Sequence, residues 1–406
     1  MRLHAWLGVF SLGCGMVSPA PSTTASSPPL STGSVATPPT AWDQAVAEVD
    51  ARIDRDTALA ATHSTDWTRS ERVARLHHER FRLTSDLHDL LAARDHLDEA
   101  FRRAPRGGGP HLTAGAIYTT LHDLDRAEAA YEQASQRLLL SHTERAAILR
   151  GQAEVALQRG HVDDAADLLE RAGTFQSGLL QSCAEARLAE KTEGPGAALA
   201  HYREAEALLA TDTGVHAAWL QLQLARVTEL LEDQHGTVEA LEAADEAFPG
   251  WFAVDAARGT FLLSRDDRPS GISALKAAAA ATPHPEYAAR LAVAVAKDDL
   301  FEAEALLRVA HETMTAWTDA APGAMATHAA ELALARGESD RALSLASRHA
   351  QTHADVDALV LLSRAYLHAG EVGRAEAVFA KVGEGPWADA EVARLCAAGG
   401  CPTRDR

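Results

Sequence analysis

The chain has few aromatic side chains and no asparagine, and the first of these shortages restricts its fold. Aromatic residues make up 5% of the 406 residues, whereas hydrophobic residues make up 47%, and alanine supplies much of that share. β-Sheets favour valine, isoleucine and aromatic side chains, but alanine has the highest helix propensity and lets helices approach closely. The composition therefore predicts an all-α protein.

Basic residues are scarce relative to acidic ones. The chain has 38 lysine and arginine residues against 57 aspartate and glutamate residues, which gives a formal net charge of −19. An acidic chain repels phosphate backbones and anionic lipid surfaces. We therefore expect no nucleic-acid partner and no membrane binding through a basic face. The charge either keeps the surface solvated or attracts a basic partner.

The chain also lacks the short motifs of common catalytic sites. It contains no G-x-x-x-x-G-K-[ST] phosphate loop, no G-x-S-x-G nucleophile elbow and no H-E-x-x-H zinc motif. His349 and His353 have a spacing that suits a metal on a helix, but a chain with 19 histidines contains such pairs by chance. We expect a non-enzymatic protein without catalytic residues, metal or cofactor. A metal-dependent helical domain that uses His349 and His353 is the alternative.

The four cysteines fall into three settings. Cys183 stands alone in a helical pattern, which indicates a small buried side chain. Cys396 and Cys401 enclose Ala-Ala-Gly-Gly, and in an oxidising compartment this spacing could close a disulfide loop. Free thiols, or thiol chemistry at this pair, remain open. The remaining cysteine, Cys14, belongs to the N-terminal segment.

The N-terminal residues have the composition of an export signal followed by a tether. Arg2 precedes an apolar run from Leu3 to Leu12, and no charged residue occurs between Leu3 and Trp42. This pattern predicts an export signal over residues 1–14 that is too short to span a bilayer. Residues 15–41 are rich in Ser, Thr, Pro and Ala, and we expect them to form a disordered tether.

The end of this signal, Leu12-Gly13-Cys14, resembles a bacterial lipoprotein leader, although Ser11 stands where that family prefers leucine. The resemblance implies that Cys14 is acylated and becomes the first mature residue, which would tether the chain to the cell envelope on the periplasmic side. Several acyl chains give stable attachment without a basic patch. An ordinary signal cleaved after Ala20, or a cytoplasmic start, remains open.

A repeated pattern of small residues follows the Gly-rich break at residues 106–110. Small residues on either side of a large ring let two short helices pack and then stack on the next pair. In the clearest copy these residues are Gly115, Tyr118, Ala127, Tyr131 and Ala134, and near the C-terminus they are Ser363, Tyr366, Gly370, Ala375, Phe379 and Val382. A marker alanine recurs about every 35 residues, at Ala127, Ala165, Ala198, Ala240, Ala274, Ala303, Ala342 and Ala375.

This pattern divides the chain into regions. Residues 42–106 form an N-terminal helical cap with a long amphipathic helical stretch over Trp67–Ala93, residues 111–382 form about eight repeats, and residues 383–406 form a tail. The turn between the two helices of a repeat holds His122 in the first copy and a glycine in others, where a left-handed backbone is expected. The glycines are Gly160, Gly194, Gly337 and Gly370.

Over residues 111–382 the pattern resembles the tetratricopeptide repeat family. The resemblance implies an α-solenoid in which each repeat contacts only its neighbours and whose concave groove binds a protein or peptide. The family's carboxylate clamp, built from Lys and Asn, has no counterpart here. By register the groove positions are Arg150, Glu154, Gln158, Glu331, Arg364 and His368. Another helical solenoid, or a spacer without a groove ligand, remains open, and the partner and oligomeric state stay undetermined.

Overall fold

The computed structural model describes residues 38–209 and 213–382. Throughout these residues the regular structure is helical, with nineteen α-helices and one 3-10 turn at Ala380–Val382. Cys14, Cys396 and Cys401 lie outside the described residues, as does most of the predicted tether. In the described part of the chain, none of the helices combines the length and the apolar character that a bilayer crossing requires.

The helices follow one another with short connections. The first three are α1 (Ala41–Thr62), α2 (Trp67–Thr84) and α3 (Leu87–Arg103). Eight helix pairs follow: α4 (His111–Thr120) with α5 (Leu124–Ser135), α6 (His142–Gln158) with α7 (Val162–Phe175), α8 (Leu179–Thr192) with α9 (Pro195–Leu209), α10 (Val215–Leu230) with α11 (Gln234–Ala247), α12 (Phe252–Ser264) with α13 (Arg268–Ala281), α14 (Pro285–Val295) with α15 (Leu300–Ala320), α16 (Pro322–Ala335) with α17 (Ser339–His349), and α18 (Val356–His368) with α19 (Val372–Phe379).

Each pair packs on the next, which confirms the predicted all-α solenoid. The first helix of a pair also touches the first helix of the next pair, as α4 does with α6, α6 with α8 and α16 with α18. We call these first helices the inner helices. They are buried on several sides, as in α16, whereas a second helix such as α17 buries only one stripe. The inner helices therefore line the interior of the solenoid.

The turn inside each pair ends the inner helix in a repeated way. Gly160, Gly337 and Gly370 have positive φ, as predicted, and His122 takes the same conformation at φ 54. The next amide N–H then bonds a carbonyl five residues back, for example from Asp123 to the oxygen of Tyr118 at 2.9 Å. This bond satisfies a carbonyl that the helix end leaves open and fixes the angle between the two helices.

The structure corrects two of the predicted marker positions. In every pair, one small residue near the start of the second helix donates its amide N–H to the oxygen four residues earlier, at the helix start. In α11 that residue is Thr237, not Ala240, and in α13 it is Gly271, not Ala274. The position requires a small side chain because the inner helix passes close by, and threonine or glycine meets that requirement as well as alanine.

Tyr131 shows how neighbouring pairs interlock. Its ring lies between Gly115 of α4 and Gly151 of α6, where an added Cβ would come within 2.5 Å and 2.2 Å of ring atoms. We expect Gly151→Ala to lower the free energy of unfolding by about 1–3 kcal/mol because overpacking outweighs the better helix propensity of alanine. Urea titration measures this. Gly373→Ala, at a helical glycine with open space around it, is the control and should not destabilise.

Glu232 lies at a position where substitution by glycine should stabilise the protein. It occupies the left-handed position of the α10–α11 turn at φ 59, and its side chain is exposed. A residue with a Cβ is strained there, so we expect Glu232→Gly to raise the free energy of unfolding by about 0.5–1 kcal/mol after the entropy cost of glycine. Thermal unfolding followed by circular dichroism tests this. The reciprocal variant Gly337→Ala, at φ 74, should lower stability; a stabilised Gly337→Ala would contradict the argument.

The amphipathic stretch Trp67–Ala93 is two helices and not one. Ser85 adopts a left-handed backbone at φ 55, and Asp86 then caps α3 by accepting the amide N–H of His88 at 3.0 Å. Serine and aspartate compete with helical hydrogen bonds through their own side chains, which is why the helix stops there. The apolar periodicity continues across the break because α2 and α3 both face the same core. Cys183, as predicted, is fully buried.

The solenoid winds tightly enough for distant repeats to touch, so the expectation that each repeat contacts only its neighbours is wrong. The Thr282 hydroxyl donates to the oxygen of Thr84 at 2.6 Å, and the amide of Trp42 donates to the oxygen of Pro249 at 3.2 Å. One apolar core runs from α2 to α18 and includes Leu90, Ile117, Met314, Trp317 and Leu361. Side chains that a straight solenoid would leave exposed are buried against a later turn of the chain.

Candidate functional site: the polar inner face

Ion pairs connect successive inner helices. Glu154 of α6 pairs with Arg187 of α8 at 2.8 Å, and Glu331 of α16 pairs with Arg364 of α18 at 2.5 Å. Between them, α8 pairs with α10 and α14 with α16. We call this set the inner ladder, and its members are Glu154–Arg187, Glu190–Arg226, Arg290–Glu286–His328 and Glu331–Arg364. The inner helices therefore carry paired charges from α6 to α10 and from α14 to α18.

The most buried rung joins Glu190 and Arg226. Both carboxylate oxygens of Glu190 accept from the guanidinium of Arg226 at 2.5 Å, and Glu190 is only 3% exposed. Burial alone would raise the pKa of the Glu190 carboxyl, but Arg226 holds it well below the usual value. The carboxylate is therefore charged at neutral pH, and its charge is compensated inside the protein by one bidentate partner.

The structure places the sequence-predicted groove residues on the inner helices. Arg150, Glu154 and Gln158 lie on α6, where Arg150 donates to Gln176 at 3.3 Å and Gln158 donates to Glu154 at 2.7 Å. The remaining three are Glu331, Arg364 and His368, on α16 and α18. Of these six residues, Glu154, Glu331 and Arg364 belong to the inner ladder, whereas Arg150, Gln158 and His368 do not. The register prediction missed the middle rungs because the repeat pattern is degenerate there.

The two ends of the array meet each other. The amide of Ala354, before α18, donates to the oxygen of Gln158 at 3.2 Å, and Lys191 of α8 forms an ion pair with Asp357 of α18. Gly160 fits against Ala354 so closely that an added Cβ would lie 2.5 Å from its oxygen. The last pair therefore lies across the early inner helices, and part of the predicted groove is covered by the chain itself.

Three histidines lie at this meeting of the ends. Nδ1 of His122, in the first turn, is 3.2 Å from Nε2 of His353, and the rings of His349 and His353 stack with centroids 4.1 Å apart. Burial lowers the pKa of His349 to about 3 and of His353 to about 4. We call these residues the closure histidines. The stacked planes are nearly parallel, so one ion cannot lie in the plane of both rings, and the sequence-suggested pair does not converge on a metal.

A second cluster has converging ligand atoms. His284 stands at the start of α14, Glu286 in its first turn and His328 on α16, and one donor atom from each lies within 4.8 Å of the others. His284 and Glu286 are buried, and His328 is half-buried. No local motif joins His328 to a residue pair more than forty positions earlier, so the sequence alone does not indicate this set. Only the packing of α14 on α16 brings them together.

No protein-family model matches the chain, and no curated protein sequence does. Among solved structures, the chain is similar to a Rap protein complexed with competence and sporulation factor, with TM-score 0.44, 13% identity and coverage of 71% of this chain and 92% of the other. It is also similar to yeast Tom70, with TM-score 0.43, 11% identity and coverage of 87% and 86%. Human IFIT1 with m7Gppp-AAAA gives TM-score 0.38, 12% identity and coverage of 84% and 94%. Likenesses this distant do not bear on function.

Proposed function

We propose that this chain is a non-enzymatic scaffold that binds a protein or peptide partner along its polar inner face. The observation that carries the proposal is the inner ladder. Buried ion pairs contribute little to stability, since apolar residues of similar volume often stabilise a core as well or better. A solenoid that lines its interior with carboxylates and guanidiniums therefore has a surface suited to recognition of polar groups.

The rung nearest the C-terminus, Glu331–Arg364, is the most accessible ion pair of the inner ladder. The side chains of Glu331 and Arg364 are each about one-fifth exposed, which leaves room for a partner's charged group or backbone amide to share them. The net charge of −19 accelerates the approach of a basic segment and slows that of a nucleic acid. We therefore expect a partner whose binding segment carries basic residues.

The proposal also includes export and tethering through Cys14, which rests on residues 1–41 alone. Replacement of Cys14 by Ala should move the protein from the membrane fraction to the soluble fraction of a bacterial envelope preparation. Unchanged partitioning would refute lipidation. A protein that stays in the cytoplasm would refute export as well, and would leave the proposed scaffold role to be tested separately.

Charge-swapped pairs test the inner face without removing the ion pair itself. We would tag the C-terminus, solubilise the native envelope in mild detergent, and quantify proteins that co-purify with the wild type and with the Glu331→Arg, Arg364→Glu double variant. The matched control is Arg308→Glu with Glu312→Arg, an exposed pair on α15, which is the second helix of its pair. Circular dichroism first confirms that each variant is folded.

The proposal predicts one stoichiometric partner that is lost from the inner swap and retained by the outer swap. A partner retained by both variants would place binding elsewhere on the protein and overturn the role of the inner face. No enriched partner in the wild type would favour the spacer interpretation, in which the solenoid has no groove ligand.

A further inference from the structure

We propose that His284, Glu286 and His328 bind a divalent transition-metal ion such as Zn²⁺, which would join the start of α14 to the middle of α16. Two imidazoles and one carboxylate form a donor set that suits zinc and related ions, and three protein ligands leave a coordination position open for water or another group. The site uses two residues of one rung of the inner ladder, Glu286 and His328, but its test does not require the proposed scaffold role.

The distances are close to those of a metal site. Oε2 of Glu286 lies 2.8 Å from Nδ1 of His328 and 4.0 Å from Nδ1 of His284. A tetrahedral zinc ion with bonds of about 2.0–2.2 Å places neighbouring ligand atoms about 3.3 Å apart. The two observed separations lie on either side of that value, so small rotations of the side chains would bring these atoms to the required spacing.

The existing contacts of the cluster define what an ion would replace. Nδ1 of His284 accepts the amide N–H of Glu286 at 3.4 Å, and Nδ1 of His328 lies 2.8 Å from Oε2 of Glu286. A metal ion bound to these atoms would take the place of both contacts, so its binding competes with the side-chain cap of α14 and with the Glu286–His328 pair.

Neighbouring groups hold the ligands in place. Arg290 donates to Oε1 of Glu286, which orients the carboxylate and leaves Oε2 directed at the histidines. Thr282 accepts the amide N–H of His284 at 3.2 Å while its own hydroxyl bonds Thr84. Such outer-shell contacts orient ligands and tune metal affinity. The nearby charge of Arg290 weakens binding of a cation, so we expect an affinity below that of a four-ligand structural zinc site.

The ligands differ in access to solvent, which defines a path for the ion. The side chain of His328 is 22% exposed, whereas those of His284 and Glu286 are 7% and 5% exposed. An ion would therefore arrive at His328 first and then take the two deeper ligands. The open position would face the same side as His328.

Cobalt provides the direct test, because a tetrahedral Co²⁺ ion has strong visible absorption bands. The protein is purified without a histidine tag, stripped with chelator and titrated with Co²⁺, and Zn²⁺ is then added to displace the cobalt. The ligand variants are His328→Ala and His284→Asn, the second of which retains a side chain able to cap α14. The controls are His235→Ala, at an exposed His–Glu pair on α11, and the double variant His349→Gln, His353→Gln.

We expect one Co²⁺ per chain, displacement by Zn²⁺ and a rise of a few degrees in the thermal midpoint with Zn²⁺. Each ligand variant should raise the dissociation constant at least about 10- to 100-fold, since even outer-shell changes have that effect, while both controls bind as the wild type does. No binding by the wild type, or binding that survives in both folded ligand variants, would overturn the site. Loss in the His349 and His353 control alone would move the site to the closure histidines.

Discussion

A decrease in pH from 7 to 5 is expected to destabilise this protein markedly. Burial keeps the pKa of His349 at about 3 and of His353 at about 4, and burial together with these two neighbours holds the pKa of His122 well below its usual value. The unfolded chain protonates its histidines near pH 6.5. Because the folded pKa values are lower, the stabilising contribution is complete above pH 6.5 and is lost as the pH falls toward the folded values.

The expected slope is roughly 1.4 kcal/mol per pH unit for each imidazole that stays neutral only in the folded state. Urea titrations at pH 7, 6 and 5, in the presence of chelator, measure it. One carboxyl opposes the trend. Burial, and then Asp357, raise the pKa of Asp355 to about 6, so protonation of this carboxyl favours the folded state as the pH falls. Burial also lowers the pKa of His78 and of His284 to about 3, so five buried imidazoles outweigh this one carboxyl.

The double variant His349→Gln, His353→Gln should make this pH dependence shallower, because only the contributions of the other buried histidines remain. His235→Gln, at an exposed histidine, should leave it unchanged. A wild type equally stable at pH 7 and pH 5 would contradict the assignment of neutral closure histidines. The same three residues join the first turn of the array to the end of α17 and the connection before α18, so acid should loosen the contact between the two ends first. Hydrogen exchange at α4 and α18 would detect that order.

Removal of one partner from the most buried rung is expected to have the second large effect. Arg226→Met should lower the free energy of unfolding at pH 7 by about 3–5 kcal/mol, because it leaves the Glu190 carboxylate buried without its bidentate partner. Guanidinium chloride titration measures the loss. Without Arg226, burial raises the pKa of the Glu190 carboxyl. At a pH below that raised pKa the carboxyl is neutral, so part of the lost stability should return on mild acidification.

A double-mutant cycle separates the loss of the pair from the penalty of a stranded charge. The double variant Glu190→Leu, Arg226→Met should be close to the wild type in stability, since apolar replacements of buried pairs are often neutral or stabilising. Arg308→Met, at the exposed pair of α15, is the matched control and should change stability little. If Arg226→Met lowered the free energy of unfolding no more than Arg308→Met does, the Glu190–Arg226 pair would not be buried as the structure shows.

The sequence predicted the helical repeats, but it did not predict how the solenoid winds. Small residues at fixed spacing and glycine at the turns are local requirements of one helix pair, so they are visible along the chain, as at Gly160 and Gly370. The mistaken markers Ala240 and Ala274 show the limit of this reading. In an alanine-rich helix several residues meet a requirement for small size, and only the turn geometry identifies Thr237 and Gly271 as the equivalent positions.

Residues of the inner ladder differ in how far a local repeat pattern predicts them. Glu154, Glu331 and Arg364 follow from the register of repeats with clear motifs. Arg187, the partner of Glu154, does not, since pairing depends on how each helix pair is rotated on the next. In the sequence, His349 and His353 stand out only by their spacing of four residues. Their stacking, and the approach of His122, required the last repeat to reach the first.

The sequence by itself determined the helical class and the turns at His122, Gly160, Gly194, Gly337 and Gly370, because each depends on interactions within about 35 residues. The tertiary structure alone decided that the array closes on itself, that the inner helices form a ladder of ion pairs, and that His284, Glu286 and His328 converge. A small rotation at each stacking interface accumulates over eight pairs, and no local pattern records that sum.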